Sequence, residues 1–189
     1  MQVILASQSP RRSELLREIF SSFDIMPQDV NENVKESDPK EMVKELAVKK
    51  LNNLDKQYPK ALIISADTIV WLNGKVYGKP HNRENSIKTL KALSGTTHTV
   101  YTGVCVAYNG KKDVFVDESK IVFRDLSEEE IIAYVDLKKP FDKAGAYGIQ
   151  DGDMVKTYYG SYSNIMGLPV ERLKEELLKI GAIWEVFNY

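Results

Sequence analysis

The chain has 189 residues, of which 43% are hydrophobic and 28% are charged, and its formal net charge is −1. These values are typical of one globular domain, and they exclude a general electrostatic attraction to nucleic acid or to an anionic membrane surface. No apolar run approaches the roughly 18 residues that a membrane helix needs, and the first residues lack the features of a signal peptide.

The hydrophobic pattern predicts helices and strands that alternate at both ends of the chain. Asn73-Gly74 and Asn109-Gly110 are typical of tight hairpin turns, which places hairpins in the middle. This order predicts an α/β fold with a mixed β-sheet, and we expect a single domain over residues 1–189 because no linker-like segment interrupts the chain. In chain order, the predicted elements are strand 2–6, helix 10–20, strand 23–26, helix 39–57, strand 61–72, helix 82–93, strands 98–108 and 113–123, helix 128–137, strand 153–159, helix 169–179 and strand 182–187.

Serines and arginines lie where the first predicted strand meets the first predicted helix. Ser9 is a favourable N-cap, and Pro10 suits the first helical position. Cations in a first helical turn oppose the helix dipole unless an anion is bound there. We therefore expect Ser7, Ser9, Arg11 and Arg12 to bind phosphate, although an arginine pair of this kind can also be simply solvated.

A carboxylate, Asp67, follows a β-rich apolar run with no turn residue between them. A charge at the end of a buried strand is rarely left unpaired. Asp67 is therefore expected to face a cleft and to bind a metal ion that bridges it to phosphate, with a solvent-facing side chain as the alternative. Glu32 lies in a polar loop, where it faces solvent by default, and it is a candidate second carboxylate for the same metal.

Two lysines are candidates for phosphate binding. On a helical wheel, Lys50 lies in the middle of the apolar stripe of its helix, so it either extends to solvent or meets an anion. Lys79 follows the first hairpin within Gly78-Lys79-Pro80, where a lysine is usually solvated, and no Walker motif surrounds it.

Two later loops carry polar side chains that suit nucleotide recognition. Gln150 lies in a segment rich in glycine and aromatic residues, and its amide can both donate and accept at a base edge. A tight turn packed by Tyr147 is the structural alternative. Ser161 begins a second loop, whose hydroxyl and N–H groups either hold phosphate or ribose or cap the following helix.

Six segments, in this order and at this spacing, resemble the Maf family over about residues 3–180. That family comprises nucleoside triphosphate pyrophosphatases and was first linked to inhibition of septum formation. Its fold is similar to that of the inosine triphosphate pyrophosphatases, which implies an elongated mixed sheet with flanking helices, two lobes and a deep cleft. The segments are Ala6-Ser7-Gln8-Ser9-Pro10-Arg11-Arg12, Ala66-Asp67-Thr68, Gly78-Lys79-Pro80, Leu93-Ser94-Gly95, residues 143–150 and residues 160–169.

The resemblance implies hydrolysis of dTTP and UTP, or of modified pyrimidine nucleotides, to the monophosphate and pyrophosphate. It also implies a divalent cation as cofactor, namely Mg²⁺, Mn²⁺ or Co²⁺. The catalytic residues are then Asp67 and Lys79, and the metal ligands are Asp67 and Glu32. The residues expected to determine base specificity are Arg11, Thr68 and Gln150. The full set expected to bind substrate is Ser7, Ser9, Arg11, Arg12, Lys50, Thr68, Gln150 and Ser161.

Three residues depart from the family pattern without removing a catalytic group. Leu51, Thr96 and Asp151 stand where alanine, arginine and glycine are usual, and Asp151 could alter the base pocket. Two other functions stay open, a non-enzymatic nucleotide-binding regulator of septum formation and a pyrophosphatase for 7-methyl-GTP. We expect a nucleotide substrate, no nucleic-acid or membrane partner, and a homodimer as one assembly. The single Cys105 cannot form an internal disulfide, which favours a cytoplasmic location.

Overall fold

The computed structural model describes residues 1–184 and shows a mixed α/β fold, as predicted. The strands are β1 (Val3–Leu5), β2 (Asp24–Ile25), β3 (Leu62–Leu72), β4 (Lys75–Tyr77), β5 (Thr97–Tyr108), β6 (Lys111–Phe123) and β7 (Val155–Tyr159). The helices are α1 (Pro10–Leu16), α2 (Pro39–Leu51), α3 (Leu54–Gln57), α4 (Arg83–Leu93), α5 (Glu128–Lys138), α6 (Tyr162–Met166) and α7 (Val170–Lys179). Two single 3-10 turns cover Ala144–Ala146 and Ile149–Asp151.

The seven strands form one sheet in the order β2-β1-β3-β5-β6-β7, and β4 pairs with β3. β1 runs parallel to both β2 and β3, whereas the pairs β3–β4 and β6–β7 are antiparallel. The sheet is therefore mixed, which confirms the prediction made from the alternating elements and central hairpins. No helix within residues 1–184 is both long enough and apolar enough to cross a membrane.

The chain divides into two compact units. The first comprises Met1–Asp67, Thr102–Asp117 and the described residues from Ser161 onward, and the second comprises Thr68–Tyr101 and Glu118–Gly160. Within the second unit, α4 packs against α5 and against the first 3-10 turn.

The first unit has a hydrophobic core on each face of its strands. Because side chains alternate along a strand, Leu5 and Ile64 join the cluster that packs against α1 and α7. Ile4 and Ile63 join the opposite cluster, which packs against α2 and α3. β3 is therefore covered on both faces, and its first six residues, from Leu62 to Asp67, are all buried.

Both predicted hairpin turns are confirmed. Asn73 and Gly74, between β3 and β4, have φ angles of 49° and 79°. Asn109 and Gly110, between β5 and β6, have φ angles of 48° and 75°. Positive φ at both central residues is the conformation of the type I′ turn, which asparagine and glycine adopt most readily.

Three predicted boundaries were wrong. The first helix ends at Leu16 and not at residue 20. The predicted helix over residues 39–57 is broken into α2 and α3, because Asn52 and Asn53 both adopt left-handed conformations with φ of 44° and 63°. The predicted closing strand is absent at residues 182–184, and its remaining residues, 185–187, lie outside the described part of the chain.

Gly103 lets β5 pass directly against the backbone of α2. A Cβ atom at this position would overlap the carbonyl group of Val43 and would lie 2.8 Å from the backbone nitrogen of Lys44. We predict that Gly103→Ala lowers the free energy of unfolding by about 3 kcal/mol, because backbone atoms cannot move aside as a side chain can. Urea denaturation of the variant measures this change.

Gly78→Ala is the matched control, because no heavy atom lies within 4 Å of the added Cβ. Its stability should change by less than about 0.5 kcal/mol. Equal stabilities for the two variants would contradict the close approach of β5 to α2.

Candidate active site

The end of β1 lies beside the middle of β3 in the first unit. β1 pairs with β3 in parallel, with Leu5 opposite Ile64, and the amide of Ala6 donates to the carbonyl of Ile64 at 2.8 Å. The chain therefore leaves β1 towards Ser7 near the level of Asp67, and β3 continues beyond Asp67 to Leu72. Ser7 and Asp67 are both buried, with 8% and 7% of their surface exposed.

The segment after β1 forms a network of hydrogen bonds around the Ser7 hydroxyl. That oxygen accepts from the Ser9 amide and from Nη1 of Arg12, both at 3.2 Å. Ser9 is the N-cap of α1, and its hydroxyl accepts from the Arg12 amide at 3.4 Å. The serines predicted to bind phosphate thus also position one arginine of the pair.

Arg12 is held in place by its protein contacts. Besides its bond to Ser7, its Nε donates to the carbonyl of Gly167, just after α6, at 2.8 Å. Burial lowers the pKa of this guanidinium, the negative charge of Asp67 raises it, Arg11 lowers it, and Glu32 raises it. The net direction is downward, and the effects of the two carboxylates show that Arg12 lies within their electrostatic range.

Arg11 differs from Arg12 in having no such contacts. Its side chain is half-buried, and within residues 1–184 it makes no hydrogen bond or ion pair. A guanidinium without a protein partner keeps all of its donors for a ligand. The arginine pair therefore divides into a positioned member and a member available to bind an anion.

Asp67 forms an ion pair with Lys50 at the end of α2. Nζ of Lys50 lies 2.5 Å from Oδ1 of Asp67 and 3.1 Å from Oε1 of Glu32. Alternation along β3 directs Ser65 and Asp67 towards α2, and the Ser65 hydroxyl donates to the carbonyl of Ala47 at 2.6 Å. Lys50 thus pairs with an anion, which was one of the two alternatives from the helical wheel. The anion is a carboxylate of the protein itself, Asp67.

The two predicted metal ligands flank one positive charge. Asp67 and Glu32 both contact the Lys50 ammonium, so their carboxylates converge on a position that already accommodates a cation. No group of three or more His, Cys, Asp or Glu residues within residues 1–184 could hold a metal ion. Two carboxylates fit a hard cation such as Mg²⁺, which takes its other ligands from water and phosphate oxygens.

Ser161 makes hydrogen bonds within its own loop. It is the N-cap of α6, where its hydroxyl accepts from the Asn164 amide at 3.1 Å, and it donates to Glu171 at 2.9 Å. Ser163 also donates to Glu171, at 2.6 Å. Burial raises the pKa of Glu171, but these hydrogen bonds and those of the backbone outweigh it, and the net direction is downward. These contacts correspond to helix capping, which was the alternative to phosphate or ribose binding for this loop.

The other predicted site residues lie in the second unit. Thr68 is half-buried and directly follows Asp67 along β3, whereas Lys79 is exposed after β4. Gln150 is exposed in the second 3-10 turn. In the described part of the chain, neither Lys79 nor Gln150 has a hydrogen bond or ion pair of its side chain, so both are available to a ligand.

Sequence reasoning missed the contacts that support the Gln150 segment. Tyr147 is buried and packs edge-on against His98 and Phe123, with its hydroxyl 2.8 Å from Nε2 of His98. Burial lowers the pKa of His98 to about 4, so the imidazole is neutral at physiological pH. The aromatic and glycine-rich composition around Tyr147 indicated a packed turn, but it did not identify His98 and Phe123 as the partners of Tyr147.

Comparisons with known proteins agree with the sequence resemblance. The family described as Maf-like protein matches residues 2–180. A protein of Carboxydothermus hydrogenoformans named dTTP/UTP pyrophosphatase is 45% identical over 185 residues, which are 96% of this chain and 100% of that protein. A protein of Aquifex aeolicus with the same name is 38% identical over 190 residues, and the match covers 100% of both chains.

A solved structure supports the fold. The structure of the Staphylococcus aureus Ham1 protein superposes with a TM-score of 0.57 and covers 96% of this chain and 100% of its own. The sequences are only 17% identical, so this likeness concerns the architecture alone.

The ion pair between Lys50 and Asp67 should contribute measurably to stability. The two side chains are only 15% and 10% exposed, so removing the lysine leaves a nearly buried carboxylate without its closest cation. We predict that Lys50→Met lowers the free energy of unfolding by about 3 kcal/mol. Adding Asp67→Asn to this variant should restore part of the loss, as measured by urea denaturation with a metal chelator present.

Lys49→Met provides the control for this experiment. Lys49 is the adjacent lysine, its side chain is 35% exposed, and it pairs with Glu45 along the helix at 3.0 Å. Its removal should cost less than about 1 kcal/mol. If the two lysine variants were equally stable, the ion pair to Asp67 would not hold α2 against β3.

Proposed function

The chain belongs to the Maf family, and from that premise we propose that it hydrolyses dTTP and UTP to the nucleoside monophosphate and pyrophosphate. The observation that carries this proposal is the buried Asp67 in the middle of β3, which is paired with Lys50 and whose negative charge raises the pKa of Arg12. An arrangement of one carboxylate and several cations suits the cleavage of a phosphoanhydride. The relatives named dTTP/UTP pyrophosphatase, matched over nearly their whole length, support this choice of substrate.

Asp67 is proposed to accept a proton from the water that attacks the α-phosphorus. The new bond joins that water oxygen to the α-phosphorus, and the bond to the oxygen that bridges the α- and β-phosphates breaks. Pyrophosphate leaves with the electron pair of the broken bond. Arg11, Arg12, Lys50 and Lys79 would neutralise the charge that develops on the phosphate oxygens, with Ser7, Ser9 and Ser161 as further hydrogen-bonding groups.

We assign a divalent cation, Mg²⁺, Mn²⁺ or Co²⁺, to Asp67 and Glu32. The support is that both carboxylates contact one ammonium group, so their oxygens already converge on a positive charge. When bound, such a cation supplies charge neutralisation at phosphate oxygens and lowers the pKa of a coordinated water. Lys50, which lies beside both carboxylates, would hold a phosphate oxygen next to this cation.

Base selection is assigned to Arg11, Thr68 and Gln150. Gln150 is exposed and makes no side-chain hydrogen bond within residues 1–184, so its amide can pair with the O4 and N3–H groups of uracil or thymine. We propose that residues 1–189 form a single Maf-like nucleotide pyrophosphatase domain, since the family match extends over residues 2–180. We also propose a cytoplasmic location, which the single Cys105 favours, and a homodimer as the assembly to test.

A screen for pyrophosphate release tests the proposed activity. We predict that UTP and dTTP have higher kcat/KM than CTP, ATP and GTP, because a mismatched base leaves buried hydrogen-bonding groups unpaired. Activity should need Mg²⁺, Mn²⁺ or Co²⁺ and should disappear with a chelator. Gln150→Ala should reduce the preference for UTP over CTP more than it reduces total turnover. A wild-type enzyme that prefers GTP or CTP, or a Gln150→Ala variant with an unchanged ranking, would contradict the base-reading role.

Asp67→Asn should abolish turnover while the fold stays intact. The substitution keeps the size of the side chain but removes the proton acceptor and one metal ligand, so we predict a fall in kcat of at least about 10²-fold. Steady-state kinetics at saturating metal measure the loss, and circular dichroism checks the fold. Asp136→Asn is the control, because that carboxylate is exposed and pairs with Arg83 on the surface. If Asp67→Asn kept most of its activity, another residue would have to act as the base.

A further inference from the structure

The turn that carries Gln150 is bonded to the side of α5. The hydroxyl of Tyr134, on α5, donates to Oδ2 of Asp151 at 2.6 Å and accepts from the Gly148 amide at 3.1 Å. One hydroxyl therefore joins the residues on either side of Ile149 and Gln150. Within the turn, the Asp151 amide also donates to the Gly148 carbonyl at 3.0 Å.

Asp151 is nearly buried and surrounded by donors from two other segments. Its side chain is 11% exposed, and Nζ of Lys143 lies 3.7 Å from Oδ2 while Nζ of Lys138 lies 3.8 Å from Oδ1. These charges lie close above Gly148, since a Cβ atom there would be 3.0 Å from Lys143 Nζ and 3.1 Å from Asp151 Oδ2. A carboxylate with this environment is costly to leave without partners.

Gln150 itself depends on this support. Its neighbour Ile149 is buried, whereas Gln150 is exposed and makes no side-chain hydrogen bond in the described part of the chain. Its amide oxygen lies over Gly148, since a Cβ atom there would be 3.0 Å from Gln150 Oε1, and Tyr134 and Asp151 fix the backbone of this turn. We call the two hydrogen bonds that the Tyr134 hydroxyl makes, one to Asp151 and one from Gly148, the Tyr134–Asp151 clamp.

We propose that the Tyr134–Asp151 clamp positions Gln150 for pyrimidine recognition, so that Tyr134 and Asp151 determine base specificity without touching the base. This inference rests on the proposed function, because it concerns the selection of the nucleotide by the same site. An amide that reads a base must reach it from a fixed position, since a glutamine on a mobile turn can shift to pair with uracil or with cytosine. Loosening the clamp therefore lowers the preference for UTP more than it lowers hydrolysis.

The experiment compares the ratio of kcat/KM for UTP to that for CTP in a set of variants. Tyr134→Phe removes the shared hydroxyl and should lower this ratio about tenfold, mainly through KM for UTP. Asp151→Ala should act in the same direction. Asp151→Asn keeps an oxygen that accepts from the Tyr134 hydroxyl, so it should retain most of the ratio. Tyr159→Phe and Asp142→Ala, at exposed positions of the same unit, are the matched controls and should leave it unchanged.

Two further measurements separate positioning from a general loss of structure. In a Gln150→Ala background, Tyr134→Phe should cause no additional change in the ratio, because the amide that the clamp positions is already gone. Hydrogen exchange of the wild type and of Tyr134→Phe should show faster exchange in the variant, confined to the amides of residues 148–152, where the Gly148 amide loses its acceptor.

The outcomes distinguish this inference from the proposed function. If the wild type releases pyrophosphate with a pyrimidine preference that Tyr134→Phe and Asp151→Ala leave unchanged, the clamp has no role in specificity and the proposed function stands. An equal effect of Tyr134→Phe with and without Gln150 also overturns the clamp. If the wild type releases no pyrophosphate from any nucleotide, the proposed function fails and the role of the clamp in base selection fails with it.

Discussion

Asp67 places a carboxylate at the end of the most deeply buried part of the sheet, and the surrounding structure compensates that charge. β3 is covered on both faces, so Asp67 has little access to water and needs cations from the protein. Lys50 supplies the closest one, and this requires a lysine on the inward side of α2. Arg12, held by Ser7 and Gly167, is a second cation, and the negative charge of Asp67 raises its pKa. One buried charge thus accounts for two buried or half-buried cations that would otherwise be unfavourable.

Under the proposed function, the same compensation prepares the site for an anionic ligand. Ser7 and Gly167 already hold Arg12 in place, so this guanidinium needs little reorganisation when charge develops in the proposed reaction. Arg11 adds a guanidinium without a protein partner among residues 1–184. Arg11 and Arg12 are therefore adjacent residues at the start of α1, one with a guanidinium that is free in the described part of the chain and one with a fixed guanidinium. Ser7 and Ser9 accept hydrogen bonds from the side chain and the amide of Arg12.

Much of this could be predicted from the sequence, because the signals are local. The apolar, β-rich run identified β3, the Asn-Gly pairs identified both hairpins, and the helical wheel placed Lys50 on the inward face of α2. The break between α2 and α3 was missed because asparagine adopts the left-handed conformation only where the tertiary structure demands it. The partner of Lys50 lies 17 residues away, and so does the partner of Tyr134, so no local pattern reports either contact.

The groups that suit phosphate and the group that suits the base are held in different ways. Arg12 and Lys50 are fixed by ion pairs and hydrogen bonds of their own charged groups. Gln150 is exposed, and only the backbone on either side of it is fixed, through Tyr134 and Asp151. A charged site of the first kind tolerates few substitutions, because each one leaves a buried charge unpaired. Gln150 can be substituted, or its position can be changed by substitutions at Tyr134 or Asp151, without disturbing those charges. Under the proposed function, substitutions at this turn can therefore change base specificity in this protein while the phosphate-binding charges stay the same.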